Sequence, residues 1–167
     1  IDYDMKYMMN RISYNYMYKG NELEWYFKVK WPLESATYSK CNKIIGDRKR
    51  IYDLGGGYGY FSFFLHYFDR TRRITSVDYD NNKTNIASNS AFKTDNLEFI
   101  QGEIENVDMD NYDACVLYDV LHYLPKYKRR ELFKKLSLKY DDIKLLIIGD
   151  GEEKKQIEDI PLLAKSM

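Results

Sequence analysis

Behind the apolar pair Ile51-Tyr52 the sequence reads DLGGGYG, which sets glycines at 55, 56, 57 and 59 just after the acid Asp53. The chain has nine glycines, and four of them fall within these five positions. Glycine weakens the interior of a strand or helix by roughly 0.5–1 kcal/mol relative to alanine. A cluster this dense therefore marks a backbone that turns sharply or is closely approached.

The flanking sequence gives the turn its setting. Residues 50–54 (RIYDL), 73–78 (RITSVD), 96–101 (NLEFIQ), 113–118 (DACVLY) and 143–149 (IKLLIIG) are short, apolar runs bounded by polar or glycine residues, and each reads as a buried strand. Between the first two, Phe61, Phe64, Leu65 and Phe68 recur at helical spacing. Ile86, Ala87, Ser90 and Ala91 do the same before the third strand, and Leu132, Phe133 and Leu136 mark a helix after Pro125. Strands alternating with helices predict an α/β fold, a Rossmann-like three-layer sandwich with a mostly parallel sheet and right-handed crossovers. Residues 1–47 read as a helical N-terminal extension or lid, with Trp31-Pro32 as a break, and residues 48–167 as the sheet domain.

Composition narrows the classes. With 167 residues, 44% hydrophobic and 31% charged, the chain has the make-up of one soluble globular unit. Lys+Arg and Asp+Glu balance at 26 each, so no overall field draws it to nucleic acid or to an anionic membrane. No apolar run is long enough to span a bilayer. Cys41 and Cys115 lie far apart and suggest no metal framework; with no leader segment evident, the cytoplasm is the expected compartment. The 17 tyrosines, with plentiful Lys, Asn and Ile, are what an AT-rich coding sequence gives, so they are not read as a functional signal. The chain opens at Ile1, as a fragment or processed product would.

In open α/β sheets ligands bind beyond the carboxyl ends of the strands, where a turn from the first strand into the first helix lies. Dinucleotide binders use G-x-G-x-x-G there. Tyr60 stands where the third glycine of that pattern would be, and the sequence is instead D-x-G-x-G-x-G from Asp53 to Gly59. A nicotinamide-dependent oxidoreductase is thereby disfavoured. From Ile51 to Asp150 the chain resembles the class I S-adenosylmethionine-dependent methyltransferases. "IYDLGGGYG" is similar to the family's glycine motif, "ITSVDYD" to its second strand and ribose-binding acid, "FIQGEIEN" to its third strand and adenine loop, and "YDACVLYDVLHYLP" to its fourth strand and active-site end. More loosely, "YKGNELEWYFKVK" and "VLYDVLHYLP" resemble methyltransferase domains of bacterial aryl-polyene and related pigment pathways.

The resemblance implies S-adenosyl-L-methionine as cofactor and methyl transfer to a small-molecule acceptor, by in-line displacement at the sulfonium methyl. It implies that Gly55, Gly57 and Gly59 pass the methionine part, with Asp53 near its ammonium. Asp78 would take the ribose hydroxyls, with capping of the next helix as its alternative. Tyr79 would lie against the adenine, Glu103 (where the family often has Asp) would accept its amino hydrogens, and Ile104 would offer a backbone N–H. Asp119 is implied at the cofactor and, with His122, at the active-site rim as a candidate catalytic pair, the imidazole suiting a general base. His66 reads as structural. Tyr14, Tyr16 and Tyr18, with Met8, Met9 and Met17, either form a lid or pack on the sheet. Arg48-Lys49-Arg50 and Arg70/Arg72/Arg73 precede strands and are expected on a solvated edge. Lys126 to Arg130 read as a solvent-facing helix start. The balanced charge, and the lack of an NPPY-like tetrad, argue against nucleic-acid methylation.

Seventeen residues follow Asp150, and "QIEDIPLLAKSM" reads as a helix. The sheet is therefore expected to lack its sixth and seventh strands. A homodimer, a partner chain or the rest of a longer protein would then cover the fifth. The alternative to an enzyme is a non-catalytic methyltransferase-like subunit used for assembly or regulation.

Overall fold

The computed structural model describes residues 3–17, 20–139, 143–149 and 156–160. Five strands, β1 (Arg50–Leu54), β2 (Arg73–Asp78), β3 (Leu97–Gln101), β4 (Ala114–Tyr118) and β5 (Lys144–Gly149), lie within one residue of the runs read from the sequence. They pair in parallel in the order β3-β2-β1-β4-β5. Helices α1 (Tyr3–Tyr14), α2 (Asn21–Trp25) and α3 (Trp31–Ile45) precede the sheet, and α4 (Tyr60–Phe68), α5 (Asn81–Ser88) and α6 (Lys126–Lys139) make the crossovers. The Rossmann-like expectation holds.

Strand side chains alternate between two cores because successive residues face opposite sides of the pleat. Ile51, Ile74, Val116 and Ile148 join Trp31, Ile45, Phe63 and Phe64 on the face covered by α1, α3 and α4. Leu54, Val77, Leu117 and Leu145 meet Leu132 and Leu136 of α6 on the other. Both faces are thus buried, as a parallel sheet requires. Helix α4 is buried from Phe61 through His66 rather than along one stripe, since α1 and α3 pack over its outer side.

Several expectations are corrected. A sixth strand, β6 (Gln156–Ile160), pairs antiparallel with β5 where the sequence was read as a helix. The edge of β5 is therefore covered from within the chain, without a homodimer or partner strand; residues 161–167 lie outside the described residues. Trp31-Pro32 does not break the N-terminal helices. Pro32 sits in the first turn of α3, and the residues before it, Tyr26–Lys30, form a π-helical turn in which the Trp31 N–H reaches back to the Tyr26 carbonyl. Proline offers no N–H to the carbonyl four residues earlier, and the widened turn carries the chain past that gap. Helix α5 ends at Ser88, so Ser90 and Ala91 are not on it; the Ser90 hydroxyl and the Ala91 N–H both donate to the Asn15 carbonyl, at 3.0 and 2.8 Å.

Met8 and Tyr16 are packed in the core, the Tyr16 hydroxyl donating to the Tyr58 carbonyl at 2.6 Å. Met9 is half-buried against that core, Tyr14 and Met17 are exposed, and Tyr18 lies outside the described residues. Arg72 is not solvated. Its guanidinium is buried and donates to the Asn42 side chain (2.6 Å) and to the carbonyls of Gly46 (2.9 Å) and Leu65 (3.1 Å), tying the carboxyl ends of α3 and α4 together. Arg50 and Arg73, at the amino ends of β1 and β2, are exposed as expected. Removing a buried charged donor strands the acceptors it served, at a cost of about 3 kcal/mol. Arg72→Ala is expected to lower the stability by that amount in urea unfolding, whereas Arg73→Ala changes it by less than about 0.5 kcal/mol.

Candidate functional site

The glycine loop takes the chain from β1 into α4 with positive φ at Gly55, Gly57 and Gly59. Gly59 is the left-handed residue that starts α4, and a Cβ on it would stand 2.6 Å from a Phe99 ring carbon and 3.3 Å from the Ala87 Cβ. Close packing of the helix start against β3 and α5 accounts for that glycine. A Cβ on Gly57 would meet nothing nearer than 4.0 Å, and the open space there belongs to a cavity of about 620 Å³. That volume is in the range of small-molecule sites, and it opens at the carboxyl ends of β1, β2 and β4.

Asp78 ends β2 inside this cavity. Its two carboxylate oxygens accept the N–H groups of Gly57 and Asp80, each at 2.9 Å, which aims the carboxylate and leaves each oxygen a further lone pair. Asp80 caps α5, taking the Asn82 and Lys83 N–H groups at 2.9 and 3.2 Å. The capping alternative thus falls mainly to Asp80.

Asp53 lies against the loop and is fully buried. Its Oδ2 accepts the Ser62 hydroxyl at 2.6 Å, while Oδ1 has no hydrogen-bond partner among the described residues. Burial pushes the Asp53 carboxyl up to about 6; the Ser62 hydrogen bond pulls it down, and the nearby Asp78 charge adds to the rise. A buried acceptor without a donor, facing a cavity, is what a cationic ligand group would complete.

Tyr79, Glu103 and Ile104 also line the cavity, Tyr79 with its ring 70% exposed. The Glu103 carboxylate is held by Lys128 at 2.9 Å, and the same ammonium reaches Glu105 at 2.5 Å. Burial alone would raise the Glu105 carboxyl, but Lys128 and neighbouring hydrogen bonds outweigh it and hold it below its ordinary value. Glu105 and Glu103 in turn hold the Lys128 ammonium above the usual lysine range. Lys128 is therefore an ion-paired wall of the cavity rather than a purely solvent-facing residue.

Asp119 follows β4 at φ +52°, its N–H fixed on the Ile148 carbonyl at 2.7 Å, and it lines the cavity. His122 stands behind it, Nδ1 3.4 Å from the Asp119 Oδ1, with its ring against Tyr123 and outside the cavity lining. His66 is buried with Nε2 3.0 Å from the Thr94 hydroxyl, in a structural position. Burial, with Arg70 nearby, lowers its basicity.

The N-terminal helices supply the other side of the cavity through Glu22, Trp25, Tyr26, Lys30, Glu34 and Tyr38, none of which the sequence reading named as a site residue. Tyr26 stacks on Tyr60 at 3.5 Å and its hydroxyl lies 2.7 Å from that of Tyr38. Glu34, only 2% exposed, accepts the Tyr118 hydroxyl. A buried-facing acid in helix α3 between Trp31 and Tyr38 was the available signal, since a glutamate flanked by core positions needs a polar partner.

Residues 51–138 match a family described as a methyltransferase domain. Solved structures with the same fold include the PH0226 protein from Pyrococcus horikoshii (18% identity, TM-score 0.60, covering 71% of this chain and 57% of that one). Human N-acetylserotonin methyltransferase in complex with SAM aligns at 18% identity and TM-score 0.60, over 72% of this chain and 36% of that one. The N-methyltransferase NodS from Bradyrhizobium japonicum does so at 17% and 0.60, over 71% and 68%. Comparison with curated proteins finds no match. The chain thus spans 57% of the length of the Pyrococcus protein.

Asp53 gives a signed stability prediction. Its folded pKa of about 6 lies above the ordinary 3.8, so the folded state binds this proton more tightly than the unfolded chain does. The contribution is fully present below the unfolded value and is lost as pH rises through 6. Between pH 7 and pH 4 the wild type is expected to gain on the order of 2–3 kcal/mol relative to Asp53→Asn, read from paired urea titrations.

Proposed function

The chain belongs to the methyltransferase-domain family, and on that footing we propose that it binds S-adenosyl-L-methionine in the cavity and methylates a small-molecule acceptor. The observation that carries this is Asp53, whose buried Oδ1, without a hydrogen-bond partner among the described residues, asks for a cationic donor on the lining that Gly57 also borders. The residues present fit the group. Asp53 would face its ammonium, Gly55 and Gly57 would let the backbone pass close, and Asp78 would take the ribose hydroxyls with its remaining lone pairs. Tyr79, Glu103 and the Ile104 N–H would meet the base, and Lys128 would hold Glu103 in place.

When bound, the sulfonium supplies an already activated methyl group. What falls to the protein is to align the acceptor, exclude water and take up a proton where one is released. Alignment is worth roughly 7–11 kcal/mol in the best intramolecular cases. The aromatic side chains of α2, the π-turn and α3 would keep water out. Asp119 borders the cavity as a candidate for the proton, and His122 would act by holding the Asp119 carboxylate rather than by touching the acceptor. Residues 1–47 would serve as the cover, through Trp25 to Tyr38 rather than through Tyr14 and Tyr16.

Calorimetric titration with S-adenosylmethionine is expected to give a dissociation constant on the order of micromolar. Charge-assisted hydrogen bonds contribute about 1.5–3 kcal/mol, so Asp78→Ala is expected to weaken binding by roughly 10- to 100-fold. Binding should also weaken as pH falls through 6 and Asp53 takes its proton, and Asp53→Asn should bind weakly at every pH. A folded chain with no affinity, or affinity indifferent to Asp78, would overturn the reading.

A further inference from the structure

Glu34 and the rings around it form a second polar centre in the cavity that the cofactor reading leaves without a task. Tyr38 packs on Phe61 (4.9 Å between ring centres) and on Tyr118 (5.1 Å), and Tyr26 joins them through the Tyr38 hydroxyl. Glu34 sits among them, buried, with the Tyr118 hydroxyl donated to it. All five line the cavity.

The charge of that lining is one-sided. Carboxylates outnumber lysines by seven to three, and among the described residues neither arginine nor histidine contributes. Lys128 is already paired with Glu103 and Glu105, and the Lys83 ammonium lies over the Tyr58 ring at 5.4 Å. Low-dielectric walls such as these rings focus such a field rather than screen it. Asp53 adds a fully buried acceptor oxygen on the same lining, without a partner among the described residues, so the cavity already takes one positive group in the donor reading. An acceptor carboxylate or phosphate set against Glu34 would meet like charge there. An amine gains the Glu34 carboxylate and the faces of the surrounding rings together.

Resting on the reading that this cavity takes the methyl donor, we propose that the acceptor is a small aromatic amine, its nitrogen held against Glu34 and its ring seated among Tyr26, Tyr38, Phe61 and Tyr118. Glu34 is then the residue that selects the acceptor's charge.

The test compares 2-phenylethylamine, 2-phenylethanol and phenylacetate, which share a ring and differ in charge, by calorimetry on the chain alone and with S-adenosylhomocysteine. The amine is expected to bind at least roughly tenfold more tightly than the acid. Glu34→Gln should remove about a tenfold share of the amine's affinity and leave the alcohol and S-adenosylhomocysteine unaffected. Tyr118→Phe keeps the carboxylate and should keep the preference, and thermal melts show that both variants are folded. Equal or tighter binding of the acid or the alcohol overturns the proposal, as does binding of none of the three. Loss of S-adenosylhomocysteine affinity in Glu34→Gln also overturns it, by making Glu34 a cofactor residue. A wild-type chain that prefers the amine yet ignores S-adenosylhomocysteine would strike the donor reading and keep the amine site.

Discussion

Holding the Asp53 carboxylate wholly out of water at the end of the central strand sets the terms for the structure around it. Desolvating a carboxylate is costly unless donors replace the lost water. The fold supplies one, the Ser62 hydroxyl, from the first turn of the helix that the glycine loop launches. Bringing Ser62 that close requires α4 to start immediately after the loop. That in turn requires the left-handed turn at Gly59, where the helix start touches Phe99 and Ala87. The same loop donates the Gly57 N–H to Asp78, so one backbone excursion positions both acids. Glycines, helix start and carboxylates are one mechanical arrangement.

The cover over this arrangement has a different logic. It is aromatic, with Tyr26, Phe27, Trp31 and Tyr38 in edge or face contact with one another or with Tyr60. Such pairs add about 0.5–1.5 kcal/mol beyond burial and do so only in particular geometries. The π-turn before Pro32 rotates Tyr26 and Lys30 relative to a regular helix, and both end up on the cavity wall. π-turns recur at functional sites because they re-aim side chains at a cost in regularity.

The strands were legible because each is a short apolar run with turn-forming neighbours, and burial on both faces leaves little ambiguity about what such runs become. The loop and its two acids were legible because their spacing is chemical as well as structural. Trp25 to Tyr38 were not. Which face of a helix turns inward is decided by packing against α4, and Pro32 read as a break when the widened turn before it carries the helix on. Arg72 was misread for a related reason: a charge ahead of a strand looks solvated until the carbonyls of Gly46 and Leu65 converge on it. β6 was missed because Gln156–Ile160 becomes a strand through its pairing with β5, a partner its own pattern does not announce.

The strand order has a consequence for how the chain assembles. β1 pairs on one side with β2 and on the other with β4, whose partner residues are some sixty positions away, Ile51 facing Ala114 and Leu54 facing Leu117. The cavity borders draw on both sides of that junction: Asp78 comes from one neighbour, Asp119 from the other. Closing so long a loop is the slow, entropically expensive part of reaching the native state. The pocket therefore needs the most distant strand pairing of the sheet to be in place. Any molecule that fills it acts as a clasp on that junction, and its affinity appears as added stability of the whole sheet, not of one loop.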